Sequence, residues 1–232
     1  MYIEVKDAVK KYGEKETELF ALNHVNFEMD KGEICVILGP SGSGKSTLLN
    51  MLGGIDSLTG GTIIVNGKDI TDMNKKQLTE YRRQDVGFVF QSYNLIPDLT
   101  VRENVEVVAD ISGQPLDIDE LLAQLEIDRH KNKFPKELSG GQQQRTAIAR
   151  ALVKNPSILL CDELTGALDS KSSRDVLRML EKVNGTYKTT ILIITHNEGI
   201  AAMADRVIRI HDGQIQDSRR QQQKKAVADL EI

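Results

Sequence analysis

The stretch richest in chemistry is Gly39-Pro40-Ser41-Gly42-Ser43-Gly44-Lys45-Ser46-Thr47. It follows the spacing G-x-x-x-x-G-K-[ST] in full. Glycines let main-chain N–H groups turn inward where side chains would block an anion. The residues that follow, Leu48–Leu52, read as the first turns of a helix, whose positive dipole end faces the same place. Such a loop cradles phosphates. Lys45 then reaches the β- and γ-phosphates of a nucleoside triphosphate, and the Ser46 hydroxyl offers an oxygen to Mg²⁺. A flexible Gly/Ser linker would share the composition but not the strand before the loop and the helix after it.

Two further clusters suit the same chemistry. Ile158-Leu159-Leu160-Cys161 is an apolar run ending in Asp162-Glu163. A buried strand would deliver both carboxylates to the carboxyl edge of a sheet, where α/β proteins bind ligands. Asp162 suits Mg²⁺ held through water, and Glu163 suits polarising an attacking water. Leu138-Ser139-Gly140-Gly141-Gln142-Gln143-Gln144-Arg145 places a capping serine and two glycines at a helix start, a second anion site far along the chain from the first.

The elements that must hold these residues follow from pattern. Ile34–Leu38, bounded by glycines, reads as a buried strand leading into the loop. Tyr2–Val9 and Leu22–Met29 alternate as strands joined through Gly13–Glu18, and Thr62–Val65 runs into an Asn66-Gly67 hairpin turn. Gly87–Phe90, Ser157–Cys161, Thr189–Thr195 and Val207–Ile210 are further strands, and Asp212-Gly213 is a second tight turn. Val101–Leu152 turns helical, as does Ser172–Val183. The tail, residues 217–232, is Gln-, Lys- and Arg-rich with weak periodicity; it reads as a short exposed helix or a disordered tail, and the disordered tail is the expectation. The fold expected is α/β: a phosphate-loop core with a mostly parallel sheet, a small N-terminal antiparallel β-subdomain and an inserted α-helical subdomain. The core takes residues 1–90 and 156–232, and the helical insertion takes 91–155.

Composition narrows the function. The 232 residues are 40% hydrophobic and 28% charged, which excludes a wholly disordered chain, a collagen and a disulfide scaffold. The longest apolar runs are five residues, against about 20 for a membrane-spanning helix, so neither a membrane span nor a secretory signal is expected. Cys35 and Cys161 sit in apolar stretches and are expected as buried free thiols of a reducing cytoplasm. The formal charge is −4, with a local −7 between Asp98 and Arg129, the solvated face of helices. No basic stripe points to a nucleic-acid partner.

Together the motifs resemble those of ATP-binding cassette ATPases, over about residues 1–216. Leu138–Gln142 matches the family's signature. The resemblance implies that Tyr12 stacks on adenine and that Gln91 senses Mg²⁺ and a membrane partner. It also implies that Ala167-Leu168-Asp169-Ser170 crosses a dimer interface and that His196 contacts the γ-phosphate. It implies a head-to-tail dimer in which Ser139, Gly140, Gly141 and Gln142 of one copy close on ATP held by the other. Hydrolysis would drive a separate transmembrane permease, with the cassette peripheral on the cytoplasmic face. Phe20-Ala21-Leu22, residues 92–100 and Leu164-Thr165-Gly166 are similar to the macrolide-exporter, lipoprotein-release and antimicrobial-peptide-resistance group. That group typically has proline where this chain has Leu164, so more backbone freedom is expected beside Glu163. A soluble cassette acting on DNA or ribosomes would carry a coiled coil or a second cassette. A non-hydrolysing regulator would lack Glu163 or His196.

Overall fold

The structure, a computed structural model, describes residues 1–13 and 17–232. Of the expected connection Gly13–Glu18, positions 14–16 lie outside the described residues. Two sheets organise the chain. The first has strand order β2-β1-β4-β5, from β1 (Ile3–Tyr12), β2 (Leu19–Met29), β4 (Gly60–Val65) and β5 (Lys68–Asp69), all antiparallel. The second has order β10-β9-β3-β8-β7-β6, from β3 (Ile34–Leu38), β6 (Val86–Val89), β7 (Ile158–Asp162), β8 (Thr190–Thr195), β9 (Arg206–His211) and β10 (Gln214–Arg220). Its pairs are parallel except the edge hairpin β9–β10, which turns at Asp212-Gly213.

The larger sheet lies between two apolar layers, and the period of two along each strand decides which side chain enters which layer. Ile34, Val36 and Leu38 of β3 face a cluster with the helices α3 (Val101–Asp110), α4 (Ile118–Gln124), α5 (Gly140–Leu152) and α6 (Ser170–Tyr187). Cys35 and Ile37 face the other cluster, with helix α1 (Lys45–Leu52) and the smaller sheet. Both cysteines are fully buried, and they lie in opposite layers as free thiols. Burial pushes both thiols far up. Strands covered on both faces must be apolar throughout, which is why β3 and β8 read as unbroken runs rather than alternations.

The helical stretch between β6 and β7 is carried by caps. Thr100 and Glu103 form a reciprocal capping box on α3, and Asp117 caps α4. Val101, Asn104, Val105 and Ala109 form the buried face of α3, leaving the acids outward.

Two features depart from the sequence expectation. Helix α2 (Lys75–Gln84) has no counterpart in the pattern reading, because Tyr81 is its one buried residue; Asn74 and Gln77 cap it, and Tyr81 Oη donates to Leu52 O at 2.8 Å. The tail is ordered rather than disordered. Residues 214–220 form β10. Beyond it, Val227 and Leu230 are 2% and 3% exposed, and Gln221 N donates to Asp205 O at 2.9 Å. Two apolar anchors three residues apart are too sparse to show as periodicity, yet they suffice to dock a short segment.

Candidate functional site

Strand β3 ends at Leu38 and the chain enters α1 through Gly39–Gly44. Gly44 caps α1 at φ 99° with no side-chain cap, so the first N–H groups of the helix stay open. A Cβ on Gly44 would lie 2.3 Å from Ala21 O, so only glycine fits there. The β9–β10 turn braces the loop, with Gly213 N donating to Ser43 O at 3.0 Å. Ser43 is 2% exposed with an unpartnered hydroxyl, while Ser41 and Gly42 line the opening.

Lys45 is buried and donates to Gly39 O and Pro40 O, both at 2.8 Å. Burial pulls its ammonium down, while Glu163 and Asp162 act in the opposite sense. The Ser46 hydroxyl lies 3.5 Å from Asp162 Oδ1 at the end of β7. Burial raises the Asp162 carboxyl; the Ser46 contact lowers it and Glu163 raises it further. A hydroxyl and a half-buried carboxylate facing across a phosphate loop fit a hard cation that takes its remaining ligands from water and phosphate. Glu163 Oε2 sits 3.1 Å from His196 Nδ1, just past the end of β8. A Cβ on Gly166 would lie 3.0 Å from Gln91 Nε2 and 3.6 Å from Glu163 Oε2, so Gln91, Glu163 and Gly166 converge.

Glu163 has a left-handed backbone, φ 45°, in a turn closed by Gly166 N donating to Glu163 O at 2.9 Å. Leu164 is 2% exposed inside the helix-side core. The expected freedom beside Glu163 is therefore absent: a buried side chain anchors the turn. A proline at 164 would push Glu163 toward extended backbone, away from the conformation it holds.

A cavity of about 440 Å³ joins Lys45, Ser46, Thr47 and Glu163 to Tyr12, Leu19, Phe20, Ala21 and Asp212. The Tyr12 ring is half-exposed, and its hydroxyl donates to Asp56 Oδ2 at 2.9 Å. Asp212 was not anticipated in this wall; the Asp-Gly turn signal located the hairpin without indicating that it folds over the loop.

The start of α5 lies apart. Ser139 N donates to Gln142 Oε1 at 2.9 Å, and Gln142 N donates back to Ser139 Oγ at 3.3 Å. Ser139, Gly141 and Gln142 line a second cavity of about 240 Å³ with Glu126, Arg145, Ser172 and Asp175, and it shares no lining residue with the first. Gly140 packs under the Tyr93 hydroxyl, which would lie 3.1 Å from a Cβ there. Asp169 caps α6.

Comparison with known proteins fits this geometry. A family model described as "ABC transporter" matches residues 22–166. An ABC transporter ATP-binding protein of Mycoplasma pneumoniae is 45% identical over 231 residues, 98% of this chain; the chain spans 50% of that protein, about half its length. The bacitracin export ATP-binding protein BceA of Halalkalibacterium halodurans is 41% identical over 218 residues, covering 92% of this chain and 86% of that one. The dimeric ATP-binding cassette MJ0796, in a post-hydrolysis state bound to ADP and Pi, superimposes with a TM-score of 0.85 at 39% identity, covering 94% of this chain and 98% of that one. The fold is that of the phosphate-loop nucleoside triphosphatases, α/β with a mostly parallel sheet. With the family model matching more than half of its length and BceA covered nearly end to end, this chain belongs to the ABC transporter family of ATP-binding cassettes.

Proposed function

We propose that this chain binds and hydrolyses ATP with Mg²⁺ as the motor subunit of a transporter, working as a head-to-tail pair on a separate membrane permease. The observation that carries the reading is the convergence of Lys45, Ser46, Asp162, Glu163, His196 and Gln91 at one sheet edge, with the Ser139 helix start in a different cavity. Lys45 and the amides of Gly39–Thr47 hold the phosphates, and Tyr12 stacks on the base. Ser46, Asp162 and Gln91 would hold Mg²⁺, which would supply charge neutralisation to the triphosphate. Glu163 takes the proton of the water that attacks the γ-phosphorus, and ADP leaves with the electron pair of the broken P–O bond. His196, beside Glu163, contacts the γ-phosphate.

The second copy supplies Ser139, Gly140, Gly141 and Gln142, so ATP joins two chains and hydrolysis releases them. The core of 1–90 and 156–232 and the helical 91–155 act as subdomains of one cassette. Among the described residues no helix is long and apolar enough to cross a membrane, and the permease is a separate partner in this reading. The cassette then sits on the cytoplasmic face, with export or force transmission as its output. The Halalkalibacterium halodurans relative is named for bacitracin export, which favours export as the output here. Purified Glu163→Gln tests the catalytic assignment: it should bind ATP and lose turnover by ~10²–10⁴-fold, the usual worth of a general base. Parent-like turnover would remove Glu163 from that role.

A further inference from the structure

Between Gln91 and α3 the chain passes through Tyr93 and Asn94, which are both left-handed, at φ 58° and 50°. Two consecutive non-glycine residues in this region persist only where surroundings hold them. One side chain does so. Arg150 donates through Nη2 to Tyr93 O at 2.9 Å and through Nη1 to Asn94 O at 2.5 Å. A planar two-pronged donor matches two successive carbonyls. Among the described residues Arg150 has no carboxylate partner, and burial alone lowers its guanidinium. A desolvated cation committed to two main-chain carbonyls is an uncommon use of arginine, and its target is the loop that carries Gln91.

Arg150 stands in the last turn of α5, the helix that starts at Gly140. Tyr93 touches both ends of that helix, its carbonyl on Arg150 and its hydroxyl over Gly140. The far end of the loop is fixed separately. Asn104 is fully buried, donates to Ile96 O, Leu99 O and Thr100 O, and accepts from Ile96 N. Among the described residues only the Arg150 contact holds the near end, next to Gln91, against α5 by side-chain hydrogen bonds.

We propose that Arg150 is a positioning residue for Gln91, clamping the Tyr93–Asn94 turn so that this loop and the Ser139 helix start move as one body. The proposal rests on the functional reading above, because that reading gives Gln91 its part in turnover. Arg150→Lys keeps the charge but replaces the fork with a point donor. It should lower ATP turnover at saturation about tenfold, the loss expected for one hydrogen bond to a charged group, while the Kd for ATP stays at the parent value. Combined with Gln91→Ala it should add nothing to the loss from Gln91→Ala alone, since both act through the same side chain. Amide exchange at Tyr93 and Asn94 should rise about tenfold in Arg150→Lys. Independent, multiplying losses in the double variant, or unchanged exchange at these amides, overturns the clamp. A parent chain without ATPase activity overturns the functional reading instead, and the exchange arm still decides whether Arg150 holds the turn.

Discussion

Two helices in this molecule begin with glycine and serine, and they are finished in opposite ways. Helix α1 starts at a left-handed Gly44 with no side-chain cap, and Lys45 turns back onto its own loop. Helix α5 starts at Ser139, where a capping box with Gln142 satisfies two of its own donors. An uncapped helix start keeps its first N–H donors available to an anion. A capped one is already partly satisfied and attracts an anion less. In the proposed function this difference gives the helices unequal tasks: α1 would supply binding affinity, and α5 would close on a phosphate that another copy holds first.

This division gives predictions in descending size. The largest effect belongs to neither helix: Glu163→Gln should lose turnover by ~10²–10⁴-fold with ATP affinity intact, as measured by steady-state kinetics beside calorimetry. Next, Lys45→Ala should weaken ATP binding roughly 10- to 150-fold, the worth of a charge-assisted bond of about 1.5–3 kcal/mol. Equal ATP titration curves for variant and parent would break the assignment of affinity to α1. Ser139→Ala should cost about 1 kcal/mol of stability in denaturant titration, through loss of the cap, and leave ATP affinity of the single chain unchanged. A drop in affinity matching that of Lys45→Ala would erase the contrast between the helices. Smallest is Tyr12→Ala, expected to weaken nucleotide binding less than about tenfold, because stacking is worth ~0.5–1.5 kcal/mol, with saturated turnover little changed. GTP should bind within about a hundredfold of ATP, since a stacking face is common to purines. Stronger rejection would reveal a polar group reading the base edge.

The sequence made these two helix starts legible for different reasons. Around α1 everything is local: glycine spacing, the lysine and the apolar run Ile34–Leu38 all lie within one short segment. Asp162 and Glu163 were legible because a fully buried strand must be apolar until it reaches the ligand edge. His196 was assigned from family resemblance, and the structure sets it beside Glu163. What escaped depends on long-range packing. Helix α2 buries only Tyr81, so it carries no apolar period, although the Asn74…Gln77 capping box was there to be read. Val227 and Leu230 order a tail whose composition is that of solvent-exposed chain. Arg150 looks like an ordinary helical arginine until the fold brings Tyr93 and Asn94 to it across 57 and 56 positions. Leu164 shows the same limit, since its burial comes from joining the large helix-side core cluster rather than from its sequence neighbours.

The central claim is that the α1 site and the α5 site belong to one ATP held between two chains. Ser139→Arg and Lys45→Ala, each inactive alone, should recover some ATPase activity when mixed, because a mixed pair can leave one composite site whole. Light scattering on Glu163→Gln, with ATP demonstrably bound, tests the claim most directly. The account predicts a particle of two chains that reverts to one when nucleotide is removed. A particle that remains a single chain at high protein concentration, with ATP in place, would contradict it.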